Sequence, residues 1–292
     1  MIRRIAFLGT PEVSASTLRF IADAGYEIPV VVTGEDKRRG RGSGVVASPV
    51  KRLAVDLGLN VAHDPRVLLQ TEFDLAVVVA YGRLISDELL KKGLFVNLHF
   101  SLLPRWRGAA PMERAILEGD KETGICLMRL VKELDAGPIY QTRRIALDDE
   151  ISLFDLARKL SELANEALGD ELSLGEDAFK SATDQVGEPT YAHKLTVDDL
   201  RIDWSSTSIE ILRRVRLGRA WTTLGGARFK ILSASSTIDH ALDIAPGQVS
   251  GVYVGTGGGV LELRHVQPEN KRIMEAKDWI NGMKNVKDLR FI

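Results

Sequence analysis

The chain has little cysteine, little net charge and no long apolar run. A single cysteine, Cys126, among 292 residues excludes an intrachain disulfide framework and a metal site built from clustered cysteines. No apolar stretch approaches the roughly 20 residues that a membrane-spanning helix requires. The net charge of −1 gives no reason to expect non-specific binding to nucleic acid. With no charged-then-apolar leader before the first predicted strand, these absences predict a soluble cytoplasmic protein that binds no membrane.

Motifs for nucleotides and metal ions are missing as well. The turn at residues 9–14, after the first predicted strand, lacks the second and third glycines of a dinucleotide-binding turn. No glycine-rich stretch ends in Gly-Lys-Ser/Thr, and no His-x-His or His-Glu-x-x-His pattern occurs. We therefore expect neither a nucleotide cofactor nor a metal ion. Structural roles are expected for four of the five histidines, namely His63, His193, His240 and His265.

The first half of the sequence alternates predicted strands and helices. Residues 5–8, 30–32 and 75–80 are continuous apolar runs, as expected for strands that are covered on both faces. After the first run, Thr10 is predicted to cap a helix that Pro11 begins. This order predicts an α/β protein with a doubly wound, Rossmann-like sheet.

Two polar side chains stand at the end of a further predicted strand. Asn97 and His99 share one face, because side chains alternate along a strand, and the strand stops at the turn of residues 101–104. Pro111 then suits the first turn of a helix that Gly119 ends. In open α/β sheets, such a strand, turn and helix N-terminus commonly hold a ligand. The alternative is a hydrogen-bonded core histidine that the asparagine satisfies.

The segment from Asn97 to Tyr140 resembles the core of the N10-formyltetrahydrofolate-dependent formyltransferases. The Asn-x-His strand, the Ser-Leu-Leu-Pro turn and Leu134-Asp135-x-Gly137 match in order and spacing. With residues 7–11, 254–257 and 267–271, nearly the whole chain resembles the methionyl-tRNA formyltransferases of that family. The resemblance implies catalytic roles for Asn97, His99 and Asp135, with 10-formyltetrahydrofolate as co-substrate and no metal. It implies a folate pocket formed by Tyr81, Gly82, Ser101, Leu102, Leu103, Pro104 and Gly137.

The second half of the chain has a different pattern. A helical pattern from Ser152 to about Phe179 closes the first domain, and glycine-punctuated β-like runs follow a polar stretch. This pattern suits a small barrel. The resemblance makes it an oligonucleotide-binding-like (OB-like) barrel that binds tRNA. We therefore expect a formyltransferase domain at 1–181, a linker at 182–200 and a C-terminal domain at 201–292.

A glycine-rich basic loop, residues 34–44, is the candidate RNA contact. Flexible glycines with clustered cations can fit a phosphate backbone, and the loop resembles the basic insertion with which methionyl-tRNA formyltransferases engage an acceptor stem. The alternative is a solvated insertion. The partner expected is initiator methionyl-tRNA, bound by a monomer. The basic residues that would contact it are Lys37, Arg38, Arg39 and Arg41.

These residue types suggest how the formyl group would be transferred. The α-amine of an aminoacyl group attacks the formyl carbon, and Asn97 donates an amide N–H to the formyl oxygen as negative charge grows there. His99 can donate a second hydrogen bond and assist proton transfer, while Asp135 holds its tautomer or relays the proton. The group that takes the amine proton stays open. The competing hypotheses are a glycinamide ribonucleotide formyltransferase, a sugar-nucleotide formyltransferase and a non-enzymatic RNA-binding protein.

Overall fold

The computed structural model describes residues 1–38, 45–237, 243–283 and 289–292. The chain divides into two compact units that interleave along the sequence. The first unit contains Met1–Pro111, Glu122–Ala146 and Ala157–His193, and the second contains Met112–Lys121, Leu147–Leu156 and Lys194–Ile292. Residues 182–193 of the expected linker thus pack within the first unit. The functional boundaries at 181 and 200 stay a prediction.

The elements range from two-residue strands to a helix of 22 residues. Up to the long helix that follows the first sheet they are β1 Ile5–Gly9, α1 Glu12–Asp23, β2 Val31–Val32, β3 Lys37–Arg38, β4 Val45–Val46, α2 Pro49–Asp56, β5 Val61–Ala62, β6 Leu75–Val79, α3 Asp87–Lys92, β7 Phe95–His99, β8 Arg107–Gly108, α4 Pro111–Glu118, β9 Glu122–Arg129, β10 Ile139–Ala146 and α5 Leu153–Leu174. The remainder are β11 Tyr191–Ala192, α6 Ser208–Val215, β12 Trp221–Leu224, β13 Ala227–Thr237, β14 Val249–Ser250, β15 Tyr253–Gly255, β16 Val260–Pro268, β17 Met274–Glu275 and α7 Ala276–Asn281. Short 3-10 helices span Pro65–Leu69, Gly175–Lys180 and Asp198–Leu200.

A seven-stranded sheet forms the centre of the first unit, in the order β10-β9-β7-β6-β1-β2-β5. The five strands from β7 to β5 are parallel, and β9 and β10 extend the sheet antiparallel. Every residue of β1, β6 and β7 is buried, as the continuous apolar runs of β1 and β6 predict. The expectation of an α/β fold with a parallel sheet is confirmed. The sheet aligns the carboxyl ends of β1, β6 and β7 at one edge.

One predicted helix cap is wrong. Helix α1 begins at Glu12 with Pro11 in the capping position, and no side chain caps it. The Thr10 hydroxyl instead donates a hydrogen bond to the Tyr81 carbonyl oxygen over 3.3 Å and accepts one from the Gly34 N–H over 3.3 Å. A hydroxyl can serve a neighbouring loop as readily as a helix end, and in this fold it links the turns that follow β1, β2 and β6.

An antiparallel sheet forms the second unit, in the order β12-β13-β16-β15-β14, with β17 paired to β16. The last residues of the chain close it. The Thr223 N–H of β12 donates to the Ile292 carbonyl oxygen, and the Val249 N–H of β14 donates to the Leu289 carbonyl oxygen. The C-terminal residues 289–292 therefore pair with both edge strands, β12 and β14. This pairing closes the sheet into a small barrel. Aromatic rings in contact with one another pack in its core, among them Trp204, Phe229, Trp279 and Phe291.

Within the described ranges, no helix combines the length and the apolar composition needed to cross a bilayer.

Candidate active site

Strand β7 brings Asn97 and His99 to the same face of the central sheet. In register, Asn97 lies beside Val78 of β6 and Met128 of β9, and His99 lies beside Cys126. Their neighbours on the adjacent strands are thus apolar. Both polar side chains are nearly buried, with exposed fractions of 9% for Asn97 and 5% for His99. Among the residues that the structure describes, none hydrogen-bonds to the side-chain amide of Asn97. A nearly buried amide therefore keeps its donors and its acceptor unused.

The His99 ring is hydrogen-bonded at one nitrogen and faces a carboxylate at the other. Its Nε2 lies 2.8 Å from the carbonyl oxygen of Trp106, and its Nδ1 lies 3.7 Å from Oδ2 of Asp135. A carbonyl oxygen can only accept, so Nε2 carries a proton and donates it to this bond. In the neutral ring, Nδ1 is then the atom with a free lone pair. His99 and Asp135 are thus adjacent, and Asn97 lies two residues before His99 on the same strand. The backbone of Trp106 rather than Asp135 fixes the tautomer.

Asp135 sits in a backbone conformation that few non-glycine residues adopt, with a φ of +47°. Its side chain is nearly buried, and Oδ2 accepts a hydrogen bond of 2.8 Å from the Gly108 N–H. The same oxygen faces His99, at a distance longer than a hydrogen bond but within ion-pair range. The carboxylate is therefore placed to stabilise positive charge on the ring.

The loop between β7 and α4 carries Trp106, which the sequence did not single out. Trp106 also has a positive φ, of +64°. Its backbone N–H donates to the hydroxyl of Thr190 over 2.9 Å, and the next N–H, of Arg107, donates to the Thr190 carbonyl over 2.8 Å. Strand β8 then pairs with β11. A residue 84 positions further along the chain thus holds the carbonyl group that orients His99.

Four predicted folate-pocket residues form the turn after β7. Ser101 is fully buried, and its hydroxyl donates to the Arg105 carbonyl over 2.6 Å. Leu103 packs against Cys126 and Met128, and the Pro104 carbonyl accepts the Thr190 N–H. Leu102 is partly exposed. These hydrogen bonds close the turn on itself and tie it to Thr190, and contact of the four residues with a ligand stays a prediction.

Tyr81 and Gly82 follow β6 at the same edge of the sheet. The Tyr81 ring lies in the apolar core, where burial raises the pKa of its hydroxyl above the ordinary value. Gly82 has a φ of +79°, and a Cβ placed on it would meet nothing within 4 Å. Open space therefore adjoins the backbone at this position.

Gly137 is required by close packing. A Cβ at this position would lie 1.9 Å from the carbonyl oxygen of Arg129, which no side chain can tolerate without movement of the backbone. The Arg129 N–H in turn donates to the Pro138 carbonyl over 2.9 Å. The turn that carries Asp135 is thus pressed against the end of β9.

The predicted RNA-binding residues are only partly described. Lys37 and Arg38 form β3, which pairs with β4 in a two-stranded hairpin. Arg39 and Arg41 lie outside the described residues. Their roles stay a prediction.

In the described part of the chain, histidines and carboxylates do not assemble into a metal-binding group. Within the described ranges, no three or more His, Cys, Asp or Glu side chains lie together as metal ligands would. The ring of His63 contacts the Thr33 carbonyl over 3.0 Å through Nδ1, and the ring of His265 contacts the Ser233 hydroxyl over 2.8 Å. His193 stacks on Tyr191. His240 lies outside the described residues.

Comparison with known proteins adds independent information. The formyl transferase family model matches residues 3–172, and the model of the formyl transferase C-terminal domain matches residues 194–284. Methionyl-tRNA formyltransferases from Methylococcus capsulatus and Leifsonia xyli subsp. xyli are 39% and 40% identical to the chain. Each match covers 96% of this chain, and 96% and 97% of the respective relative.

A solved structure shows the same fold at lower identity. HypX from Aquifex aeolicus, in complex with tetrahydrofolic acid, superposes with a TM-score of 0.69 at 18% identity over 96% of this chain. The chain spans about half of HypX, or 47% of its length. At this identity the likeness shows the fold alone.

Proposed function

The chain belongs to the formyl transferase family, and from that premise we propose that Asn97, His99 and Asp135 catalyse its reaction. The family predicted from residues 97–140 is confirmed. The reaction is transfer of a formyl group from 10-formyltetrahydrofolate to methionyl-tRNA, as in the relatives that match nearly its full length. The observation that carries the proposal is the unpaired, nearly buried amide of Asn97 beside a histidine whose Nδ1 faces a carboxylate.

The described residues fit a carbonyl-bearing ligand at the end of β7. When bound, 10-formyltetrahydrofolate supplies the activated formyl group. No described residue hydrogen-bonds to the Asn97 amide, and its polar atoms are not sealed from solvent, so a ligand oxygen can reach them. Gly82 leaves open space at the neighbouring strand end. These features support a ligand site at the shared edge of β6 and β7.

Asn97 acts as the donor to the formyl oxygen. Negative charge grows on that oxygen as the amine attacks, and a donor already held in place stabilises it without reorganisation. Strand β7 fixes the backbone of Asn97 through pairing on both sides. Loss of one such donor costs roughly 3 kcal/mol, or about 100- to 1000-fold in kcat.

His99 accepts the amine proton at Nδ1. The Nε2 proton is already donated to Trp106, so Nδ1 is the free basic atom of the neutral ring. Asp135 stabilises the positive charge that the ring then carries. The protonated Nδ1 can afterwards return the proton to the departing nitrogen. Of the three proposed catalytic residues, His99 is therefore the one that takes the amine proton, at its Nδ1 atom.

The proposal also covers the acceptor substrate, the oligomeric state and the cellular compartment. The acceptor is initiator methionyl-tRNA, and Lys37, Arg38, Arg39 and Arg41 contact its phosphate backbone. The protein acts as a monomer in the cytoplasm, which is consistent with its single, free and buried cysteine. The formyltransferase domain spans 1–181, the linker 182–200 and the tRNA-binding domain 201–292.

A formyl-transfer assay tests the proposal. Purified protein is given 10-formyltetrahydrofolate with charged tRNAs, an amino-sugar nucleotide or glycinamide ribonucleotide, and the formylated product is identified. Methionyl-tRNA is the expected acceptor. Asn97→Ala is expected to lower kcat by at least about 100-fold, and Asp135→Asn is expected to lower it substantially with the Gly108 contact retained.

Asn60 provides the matched control. Its amide donates to a backbone carbonyl, that of Pro29, and the residue is exposed and lies away from β7. Asn60→Ala should therefore keep full activity. If Asn97→Ala is equally active, the oxyanion role of Asn97 is wrong even where methionyl-tRNA is the acceptor.

A further inference from the structure

A segment far along the chain braces the active site. Residues 183–192, which we call the bracing segment, follow α5 and its terminal 3-10 helix and return to the edge of the central sheet. Thr183 exchanges two backbone hydrogen bonds with Ile139, of 2.8 and 2.9 Å. Thr190 binds the backbone of Trp106 and Arg107, and the Ala192 carbonyl accepts two further N–H groups. The segment thus contacts both loops that carry site residues.

Gln185 is the member of this segment that links the two loops. Its Nε2 donates to the carbonyl oxygens of Asp135, over 2.8 Å, and of Gly137, over 2.9 Å. Its Oε1 accepts from Nη2 and Nε of Arg107, over 2.7 and 3.1 Å. Both ends of one amide are therefore engaged. The adjoining residue, Gly108, donates to the carboxylate of Asp135.

The chemistry of these four contacts selects an amide. Two carbonyl oxygens need a donor, and a guanidinium group needs an acceptor, so a single side chain must supply both. A glutamate at this position would place a carboxylate oxygen, which can only accept, against the two carbonyl oxygens. A methionine would supply neither the donor nor the acceptor. Because Asp135 has a positive φ, its turn is held against a backbone cost of order 1–3 kcal/mol. The amide supplies part of that constraint.

We infer that Gln185 is a positioning residue, which sets the separation between the Asp135 carboxylate and Nδ1 of His99. The inference rests on the proposed function of Asp135 and adds a residue that does not touch the reacting atoms. The 3.7 Å gap depends on how the Asp135 turn lies against the Trp106 loop, and Gln185 bonds to both. A displacement of about 1 Å at such a site can cost about 100-fold in rate.

Kinetics of two variants test the inference. Gln185→Met removes all four hydrogen bonds with little change in size, and Gln185→Glu keeps the acceptor for Arg107 but loses the donor. We expect kcat to fall about 10- to 100-fold in both, while KM for methionyl-tRNA stays within about twofold. Gln70→Glu, at an exposed site in the same unit, is the control and should be fully active. An unchanged kcat in Gln185→Met, or a loss confined to KM, overturns the inference.

A double-mutant cycle separates this inference from the proposed function. If Gln185 acts through Asp135, Gln185→Met should cost less than about threefold when added to Asp135→Asn, because coupled residues are not additive. Multiplying losses would overturn the positioning role and leave the function of Asp135 intact. Full activity of Asp135→Asn itself would instead refute the proposed function, and the inference with it. Urea unfolding of each variant shows whether the folded fraction accounts for any loss.

Discussion

Two substitutions of His99 separate its bond to Trp106 from its proposed chemistry. In His99→Gln the new amide nitrogen can stand near the position of ring Nε2 and keep the bond to the Trp106 carbonyl. In His99→Asn the amide stands near Nδ1, and the hydrogen bond from His99 to that carbonyl is lost. Neither amide can accept a proton at neutral pH. The pair therefore predicts equal losses of activity with unequal losses of stability.

The magnitudes follow from the geometry. The His99 side chain is 6% exposed, and the bond from Nε2 measures 2.8 Å, so removing the donor of this buried hydrogen bond should cost about 1–3 kcal/mol. At roughly 2–4 °C per kcal/mol, Tm of His99→Asn should fall by about 2–12 °C. His99→Gln should keep most of the parent Tm. Removal of the proton acceptor should lower kcat at least about 100-fold in both, within the general-base contributions of about 100- to 10000-fold.

Formyl transfer to saturating methionyl-tRNA gives kcat, and thermal or urea unfolding gives stability. A His99→Gln protein that keeps more than about a tenth of the parent kcat would refute proton transfer at Nδ1. A His99→Asn protein as stable as the parent would show that the Trp106 bond contributes nothing measurable. The kcat measurement and the stability measurement can be interpreted independently of each other.

Three further predictions concern other parts of the first unit. Gly137→Ala should lower stability by several kcal/mol and abolish most activity, because its Cβ would lie 1.9 Å from the Arg129 carbonyl oxygen; urea unfolding and kcat check it. Replacement of the four basic residues at positions 37, 38, 39 and 41 by Ser should raise KM for methionyl-tRNA and flatten its salt dependence by up to about one unit of slope per lost phosphate contact. If the slope of this salt dependence is unchanged, the loop is only a solvated insertion. Hydrogen bonds from the backbone N–H groups of Arg4 and Arg3 lower the pKa of Asp74 below its ordinary value of 3.8. The carboxylate therefore stabilises the fold at pH values above 3.8, and this contribution is lost as pH falls through the lowered pKa. Asp74→Asn should show a shallower loss of stability between neutral pH and about pH 3, and an identical profile would contradict the linkage.

The sequence predicted the parts of the fold that depend on local pattern. Buried parallel strands leave continuous apolar runs, which is why β1 and β6 were found, and a polar pair at the end of a strand is visible as Asn97 and His99. Helix α1 was found, but its cap was not, because the Thr10 hydroxyl binds Tyr81 across 71 positions. Such a competition between partners depends on tertiary structure.

The supporting residues of the site left no local signal. Trp106 acts through its backbone carbonyl, which every residue possesses, and Gln185 lies in a polar stretch that reads as a linker. Their partners are 7 to 84 positions away in the chain. A sequence can show which side chains carry the chemistry, but it does not show which distant amides and carbonyls hold them.

The bracing segment also bears on the construction of chimaeras. A crossover after α5 and its terminal 3-10 helix, near residue 181, would take Gln185 and Thr190 from a different parent than the loops they hold. A crossover between His193 and Lys194 keeps every brace with its own site. Residues 112–121 and 147–156 pack with the second unit, so they must travel with whichever parent supplies residues 194–292. Exchange of the second unit between relatives is therefore a three-segment graft rather than a single splice.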